Sequence, residues 1–254
     1  METESYRERP DFATKENAVK KARAAFPNGL EQPAESYRFS CDALFLAEFA
    51  HECFCGPFVV DLGTGCGAAA LALLLRSPSC YAIGLEIQEP LVIAARRNVE
   101  KLGLESRMRI LQGDVEDKAF LKYARQFFAD FQPLPPQVLP QADMVICNPP
   151  WRRHGSGRLP PSELRRKALF GTDKTFSVFF NAADALLKNR GRLIAVASAS
   201  QTTALLAALP SRLQAERLRY VFSGNEAVFV LLCAVKQGEK KRGIREVKVD
   251  RTSC

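Results

Sequence analysis

The sequence has few of the features that mark membrane, secreted or metal-binding proteins. It contains no apolar run long enough to cross a bilayer, and its first 30 residues are too polar for a secretory signal peptide. Its 8 cysteines include no CxxC pair, and only 2 histidines are present. The stretch His51-Glu-Cys53-Phe-Cys55 therefore lacks the paired ligand spacing of a zinc site. We expect no metal and no membrane partner, and cysteines in apolar segments favour a reduced, cytoplasmic protein.

Acidic residues are fewer than basic ones: the sequence has 36 Lys and Arg and 28 Asp and Glu, which gives a net charge of +8. This excess favours a polyanionic partner, with nucleic acid first and a membrane surface second. The basic residues concentrate in three segments, at 15–23, 152–167 and 240–248. The simplest alternative is that these charges are only a solvated surface.

Strand and helix patterns alternate from residue 57 to residue 235, which predicts an α/β domain with a mostly parallel sheet. Strands are predicted at 57–62, 81–86, 107–112, 143–147, 192–197, 217–222 and 227–235. Helices are predicted at 43–50, 68–76, 90–102, 118–128, 175–187 and 202–208. The turn Ser223–Glu226 joins the last two strands in an antiparallel hairpin. The expected divisions are a basic, flexible arm at 1–28, the folded domain at 29–236 and a basic tail at 237–254.

A glycine-rich loop, Asp61-Leu-Gly-Thr-Gly-Cys-Gly67, follows the first strand and opens the first helix of this alternation. Its glycines allow a sharp turn and a close approach to a ligand. Ala68 stands where the dinucleotide fingerprint GxGxxG has its last glycine, and the acidic head of the loop suits a pyrophosphate poorly. The loop instead suits a nucleoside with a cationic substituent. Glu86 ends the second strand, where an acid can accept hydrogen bonds from ribose hydroxyls.

Together these features resemble the seven-stranded, Rossmann-like class I methyltransferases, which bind S-adenosyl-L-methionine. The resemblance implies that Glu86 binds the ribose hydroxyls and that Asp114 binds the adenine amine. It also implies that the loop faces the methionine end of the cofactor through Asp61, Gly63, Gly65 and Gly67. Taken alone, Glu86 and Asp114 could each be an ordinary surface acid at a strand end. The competing interpretation of the whole set is an oxidoreductase.

The segment Asn148-Pro-Pro-Trp151 follows the fourth strand and matches the [Asn/Asp/Ser]-Pro-Pro-[aromatic] motif of enzymes that methylate planar amino nitrogens. Such nitrogens are poor nucleophiles, because their lone pairs are delocalised. The resemblance implies that the Asn148 side-chain carbonyl and the Pro149 backbone carbonyl accept both N–H groups, and that Asn148 borders the cofactor. Pro150 stiffens the loop, and Trp151 offers a flat face for stacking. Trp151 departs mildly from the usual Tyr or Phe.

The structural alternative for this segment is that Asn148 caps a turn and Trp151 is a core aromatic. As a methyltransferase motif, it permits adenine N6, guanine N2 in ribosomal RNA and the glutamine amide of release factors. Here Arg38-Phe-Ser-Cys-Asp42 and the following Ala-Leu-rich residues resemble the same region of the tRNA(Val) adenine-N6 methyltransferases. Arg38 and Phe39 would then lie over the cofactor edge, and Ser40 or Asp42 would cap the helix.

The release-factor enzymes carry a separate helical domain and an Arg-Pro-Glu-Thr stretch that the residues before Pro57 lack. A DNA enzyme of this kind would need a target-recognition domain. We therefore expect a monomeric, cytoplasmic enzyme that methylates adenine N6 in RNA, in particular a tRNA anticodon loop. A non-catalytic RNA-binding module stays open. The expected RNA contacts are basic residues after the motif, namely Arg152, Arg153, Arg158, Arg165, Arg166 and Lys167.

Overall fold

The structure is a computed structural model that describes residues 26, 29–36, 38–131, 141–150, 162, 171, 174–238 and 247–253. The strands are β1 Phe58–Leu62, β2 Tyr81–Glu86, β3 Met108–Gln112, β4 Ala142–Cys147, β5 Leu187–Ser198, β6 Leu213–Ser223, β7 Glu226–Lys236 and β8 Lys248–Ser253. The helices are α1 Cys41–Glu52, α2 Ala68–Arg76, α3 Glu89–Lys101, α4 Lys118–Ala124, α5 Thr175–Leu186 and α6 Thr202–Ala207. Short 3-10 turns follow at Arg125–Asp130 and Ala199–Gln201.

The strands form one sheet in the order β3-β2-β1-β4-β5-β7-β6-β8. The first five strands in that order are parallel, and β7 runs antiparallel to both β5 and β6. This topology confirms the predicted α/β class and the hairpin, whose turn pairs Ser223 with Glu226. The expectation of seven strands is wrong, because an eighth strand, β8, pairs parallel to β6 at the edge.

Helices cover both faces of the sheet, which explains why its central strands are apolar on both sides. On one face α1, α2 and α3 pack against side chains such as Val59 and Met144. On the other face α4 and α5 pack against the alternate residues, such as Val60 and Val145. All six residues of β4 are buried, so this strand lies at the centre of the fold.

The structure describes only part of the two chain ends, and it differs there from what the sequence predicts. Most of the segment 1–28 lies outside the described residues, but Phe26 is buried and meets the edge of the Phe39 ring at 5.8 Å between centroids. In the segment 237–254, the residues of β8 pair with β6 and belong to the sheet rather than to a tail outside the folded domain. The predicted helix 118–128 ends at Ala124, where the backbone tightens into the 3-10 turn.

Ion pairs between strands and helix hold β8 in place. Asp250 of β8 accepts hydrogen bonds from Arg217 and Arg219 of β6 at 2.6 and 2.9 Å. Arg219 also donates to Glu52 at the end of α1, and its guanidinium lies 5.0 Å from the centre of the Phe49 ring. Burial alone would raise the pKa of Asp250, but the hydrogen bonds from the two arginines lower it below its usual range.

We predict that Asp250→Asn destabilises the protein by about 1 kcal/mol at neutral pH, because charged hydrogen bonds are lost at a partly exposed site. The depressed pKa makes this contribution present above about pH 4 and lost as the pH falls through the folded-state pKa. Thermal unfolding of both proteins across that range measures the difference. Asp117→Asn is the matched control, since Asp117 caps α4 and Asn caps equally well. A difference in stability between wild type and Asp250→Asn that stays constant down to low pH would contradict this account of Asp250.

Candidate active site

The glycine loop between β1 and α2 lies at the carboxyl edge of the sheet and is tied to the neighbouring strand. The backbone N–H groups of Gly63 and Thr64 both donate to the Leu85 carbonyl of β2, at 2.9 and 3.0 Å. Gly63, Gly65 and Gly67 have φ angles of +67°, +59° and +90°, which residues with a side chain rarely adopt. The sequence forms this tight loop because glycine occupies each of the three positions.

The loop borders an open cavity of about 410 Å³, a size typical of small-ligand sites. Most of the cofactor and catalytic residues expected from the sequence line it, namely Asp61, Gly63, Gly65, Glu86, Asp114, Asn148 and Pro149. Gly67 is not among the lining residues, because it starts α2 and lies against Leu71. Arg38 is exposed and does not line the cavity either, whereas its neighbour Phe39 is buried and does.

Glu86 is buried at the end of β2 and is held by the backbone on both of its oxygens. Oε2 accepts from the Gly65 N–H and Oε1 accepts from the Gln88 N–H, each at 2.9 Å. Burial raises the pKa of Glu86, although these amides oppose the rise. The carboxylate is thereby fixed in the cavity wall with acceptor capacity left on each oxygen.

Asp61, the acid at the head of the loop, lies deeper in the cavity wall. Its Oδ2 accepts from the Thr64 hydroxyl at 2.7 Å. Burial raises the pKa of Asp61 to about 7, so its charge changes near neutral pH. A cation bound next to this carboxyl would favour the ionised form.

Asp114 follows β3 and is exposed at the rim of the cavity. Its Oδ1 accepts from the Glu116 N–H at 2.9 Å, which closes a local turn. The preceding Gly113 is covered by the ring of Phe120, and a Cβ there would lie 2.4 Å from a ring carbon. A side chain at position 113 would therefore force the Phe120 ring to move.

Asn148, Pro149 and Pro150 follow β4 and line the cavity, and β1 separates β4 from β2, the strand that ends at Glu86. The Asn148 Nδ2 group donates to Oδ2 of Asp42 in α1 at 2.9 Å. The Pro150 carbonyl packs against Gly171, where a Cβ would lie 2.3 Å from the carbonyl oxygen. Trp151 and the basic residues expected to contact RNA lie outside the described residues, so their roles stay predictions.

Sequence reasoning missed two contributors to this site. Asp42 was expected only as a helix cap, and Phe179 of α5 was not singled out. The Phe179 ring covers the glycine loop, and a Cβ at Gly63 would lie 3.2 Å from it. Both contacts join residues that are far apart along the chain, so no local pattern indicates them.

The charge of the cavity is one-sided. Its described lining includes five acidic residues and no lysine or arginine, and the acids are Asp42, Asp61, Glu86, Asp114 and Glu116. Such a lining favours a ligand that carries positive charge. Within the described ranges, no cluster of His, Cys, Asp and Glu could hold a metal ion. No helix in the same part of the chain has the length and apolar character needed to span a bilayer.

Methyltransferases are among the known proteins whose sequences resemble this chain. The release factor glutamine methyltransferase of Gloeobacter violaceus is 32% identical over 104 residues, which is 41% of this chain and 30% of that protein. The tRNA1(Val) (adenine(37)-N6)-methyltransferase of a Shewanella species is 27% identical over 111 residues, covering 44% of this chain and 39% of that protein. The matches thus span well under half of either relative.

The fold also matches solved structures. A protein from Agrobacterium tumefaciens, described as a predicted O-methyltransferase, superposes with a TM-score of 0.55 at 21% identity and covers 84% of this chain and 85% of that one. At this identity the likeness shows the α/β Rossmann-like fold alone. A family model described as a methyltransferase domain matches residues 56–242, more than half of the 254 residues, so this chain belongs to the methyltransferase domain family.

Proposed function

We propose that the protein methylates the N6 amino group of an adenine in RNA, in particular in a tRNA anticodon loop. One observation carries the proposal. Asn148 and Pro149, two residues with carbonyl acceptors, line the same cavity as the glycine loop and the buried Glu86. This shared lining supports the proposal, in which the loop and Glu86 hold the cofactor and the two carbonyls accept from the substrate amine.

The cofactor is S-adenosyl-L-methionine, which supplies an electrophilic methyl group when bound. The residues present fit it, because the acidic lining suits a cationic ligand and the glycine loop leaves room beside it. Asp61 and the loop would hold the methionine end. Glu86 would accept hydrogen bonds from the ribose hydroxyls, and the exposed Asp114 would accept one from the adenine amine.

The chain's own residues have to orient a weak nucleophile rather than remove a proton from it. In the proposal, Asn148 Oδ1 and the Pro149 carbonyl each accept one N–H of the substrate amine, which turns its lone pair toward the methyl group. Positioning of this kind contributes several kcal/mol to lowering a barrier. No dedicated general base is required, since the proton becomes acidic once the nitrogen is alkylated.

The choice of RNA rests on the matched relative and on the charge of the chain. The Shewanella relative is by its name an adenine-N6 methyltransferase of tRNA, and it matches 44% of this chain. The basic run at 152–167 starts directly after Trp151, so a base stacked on that ring would have cations near its phosphates. The seven cysteines of the described ranges are thiols rather than disulfides, in keeping with the proposed cytoplasmic location.

A second candidate is the glutamine amide of a release factor. The Gloeobacter relative carries that activity in its name, and at 32% it is more identical to this chain than the Shewanella relative is at 27%. The amide of glutamine is planar and offers two N–H groups, so the same two acceptors suit it. The two candidates differ in the acceptor molecule and in the methylated product.

The cofactor assignment predicts that Gly65→Leu lowers the affinity for S-adenosyl-L-methionine at least about tenfold, or about 1.4 kcal/mol. A side chain at Gly65 would project into open space in the cavity and occupy the ligand's volume. Gly103→Leu is the matched control, since Gly103 also has a positive φ and open space around it but does not line the cavity. Calorimetry should give Gly103→Leu the wild-type affinity, and equal affinities in both variants would contradict the assignment.

The raised pKa of Asp61 predicts that cofactor binding depends on pH. Its pKa of about 7 means that a share of the protein carries a protonated Asp61 at neutral pH. A cationic ligand favours the ionised carboxylate, so binding should release protons and affinity should rise from about pH 6 to about pH 8. Calorimetry in buffers of different ionisation enthalpy measures the release, and Asp61→Asn should remove most of it. An affinity that falls with rising pH in the wild type would contradict the prediction.

The acceptor assignment predicts that Asn148→Ala lowers turnover by about a hundredfold or more, while cofactor affinity falls less. The assay supplies labelled cofactor with separate pools of tRNA, ribosomal RNA and release factor, and mass spectrometry identifies the product. We expect N6-methyladenosine in tRNA from the wild type. Methylglutamine in release factor would favour the second candidate, and near wild-type turnover by Asn148→Ala would show that Asn148 is not an acceptor in the reaction.

A further inference from the structure

Asp42 is a buried acid in the wall of the cavity, with three hydrogen-bond donors around its carboxylate. Only 1% of the residue is exposed. Oδ1 accepts from the Ser40 hydroxyl at 2.7 Å and from the Ala43 N–H at 2.9 Å. Oδ2 accepts from Asn148 Nδ2 at 2.9 Å. The two oxygens therefore have separate partners, one within the start of α1 and one across the site.

This division determines which way the Asn148 amide faces. An ionised carboxylate only accepts hydrogen bonds, so the NH₂ group of Asn148 faces Asp42. The reverse orientation would place the Asn148 carbonyl oxygen against a carboxylate oxygen, with no proton between them. Because the amide is planar, its oxygen is then turned away from Asp42 and is left to accept from a donor in the cavity.

We infer that Asp42 is a positioning residue that fixes the Asn148 amide with its carbonyl oxygen toward the substrate amine. The inference rests on the proposed function in one respect, that the acceptor is an amino nitrogen, and it applies equally to adenine and to glutamine. An unfixed amide would present its NH₂ group to the substrate in part of the molecules, and an NH₂ group cannot accept from an amine.

Asp42 lies in the first turn of α1, and the N-cap position is held by Ser40, whose side chain makes no capping hydrogen bond. A role for Asp42 within this turn alone would involve Oδ1 and leave Asn148 unaffected. The variant Asp42→Asn separates the two roles. Its carbonyl oxygen stays on the Ala43 N–H, which is a fixed backbone donor, so the contact within the first turn of α1 is kept. Its new NH₂ group then faces Asn148 and favours the inverted amide, in which the Asn148 oxygen is consumed by residue 42.

The test uses Asp42→Asn, Asn148→Asp and the double variant Asp42→Asn/Asn148→Asp in the full chain. Asp42→Asn should lower kcat about a hundredfold with a smaller change in cofactor affinity, because one oriented acceptor is lost. Asn148→Asp should also be impaired, since two carboxylates then face each other. In the double variant, residue 42 donates to the new carboxylate, whose second oxygen again accepts from the substrate. Its kcat should exceed that of either single variant at least about tenfold.

The control and a substrate-free measurement make the outcome decisive. Asp117→Asn changes the same chemistry at a helix cap outside the cavity, and it should leave kcat unchanged. Turnover is measured on whichever acceptor the wild type methylates, so a failure of the RNA proposal leaves this test intact. If the two substitutions acted independently, the factors by which each lowers kcat would multiply in the double variant. A double variant whose kcat is no higher than that product predicts would overturn the inference.

The orientation is also visible without any methyl acceptor. The side-chain amide signals of Asn148 in the ¹H–¹⁵N spectrum, assigned by their loss in Asn148→Asp, report the contact with a carboxylate. They should shift in Asp42→Asn and stay in place in Asp117→Asn. If they do not move in Asp42→Asn, the amide is not held by Asp42 and the inference is wrong, whatever the substrate.

Discussion

The parallel pairing of β1 with β2 on one side and with β4 on the other is the constraint on which the site depends. Leu62 at the end of β1 pairs with Leu85 of β2 and with Cys147 of β4. Because parallel strands end at the same edge, the residues that follow them meet around one opening. The glycine loop, the carboxylate of Glu86 and the segment from Asn148 are neighbours for this reason, although up to 85 residues separate paired positions such as Leu62 and Cys147 along the chain.

Helix α1 adds what the sheet alone does not supply. It packs beside α2 and reaches the sheet near β5, so its first turn lies next to the end of β4. Asp42 in that turn is buried. One of its carboxylate oxygens accepts a hydrogen bond from Asn148, and the other accepts one from the Ala43 N–H in the first turn of the same helix. The same helix ends at Glu52, which binds Arg219 and so contributes to the attachment of β8. Helix α1 thus contacts the cavity at its first turn and the arginines that attach β8 at its last turn.

Local patterns in the sequence predicted most of the fold and much of the cavity. The alternation of strands and helices, the glycine loop and the acid that ends β2 were all predicted from residues that are adjacent in the chain. The strand β8 was missed because its sequence, Lys248–Ser253, has no apolar face that would indicate a strand. Its attachment depends instead on ion pairs from Arg217 and Arg219 to Asp250, which join distant parts of the chain. The role of Asp42 and the cover provided by Phe179 were missed because they are contacts between distant segments. Arg38 was placed at the cavity by resemblance, whereas the structure leaves it exposed.

The central claim is that Asn148 and Pro149 accept the two N–H groups of a substrate amine beside the cofactor. A crystal structure with S-adenosylhomocysteine and adenosine bound together tests it most directly. The account predicts that the adenine N6 lies about 3 Å from both Asn148 Oδ1 and the Pro149 carbonyl oxygen, with Asn148 Nδ2 still on Asp42. An adenine whose amine lies away from these two oxygens, or an Asn148 amide that points its NH₂ group at the base, would contradict it.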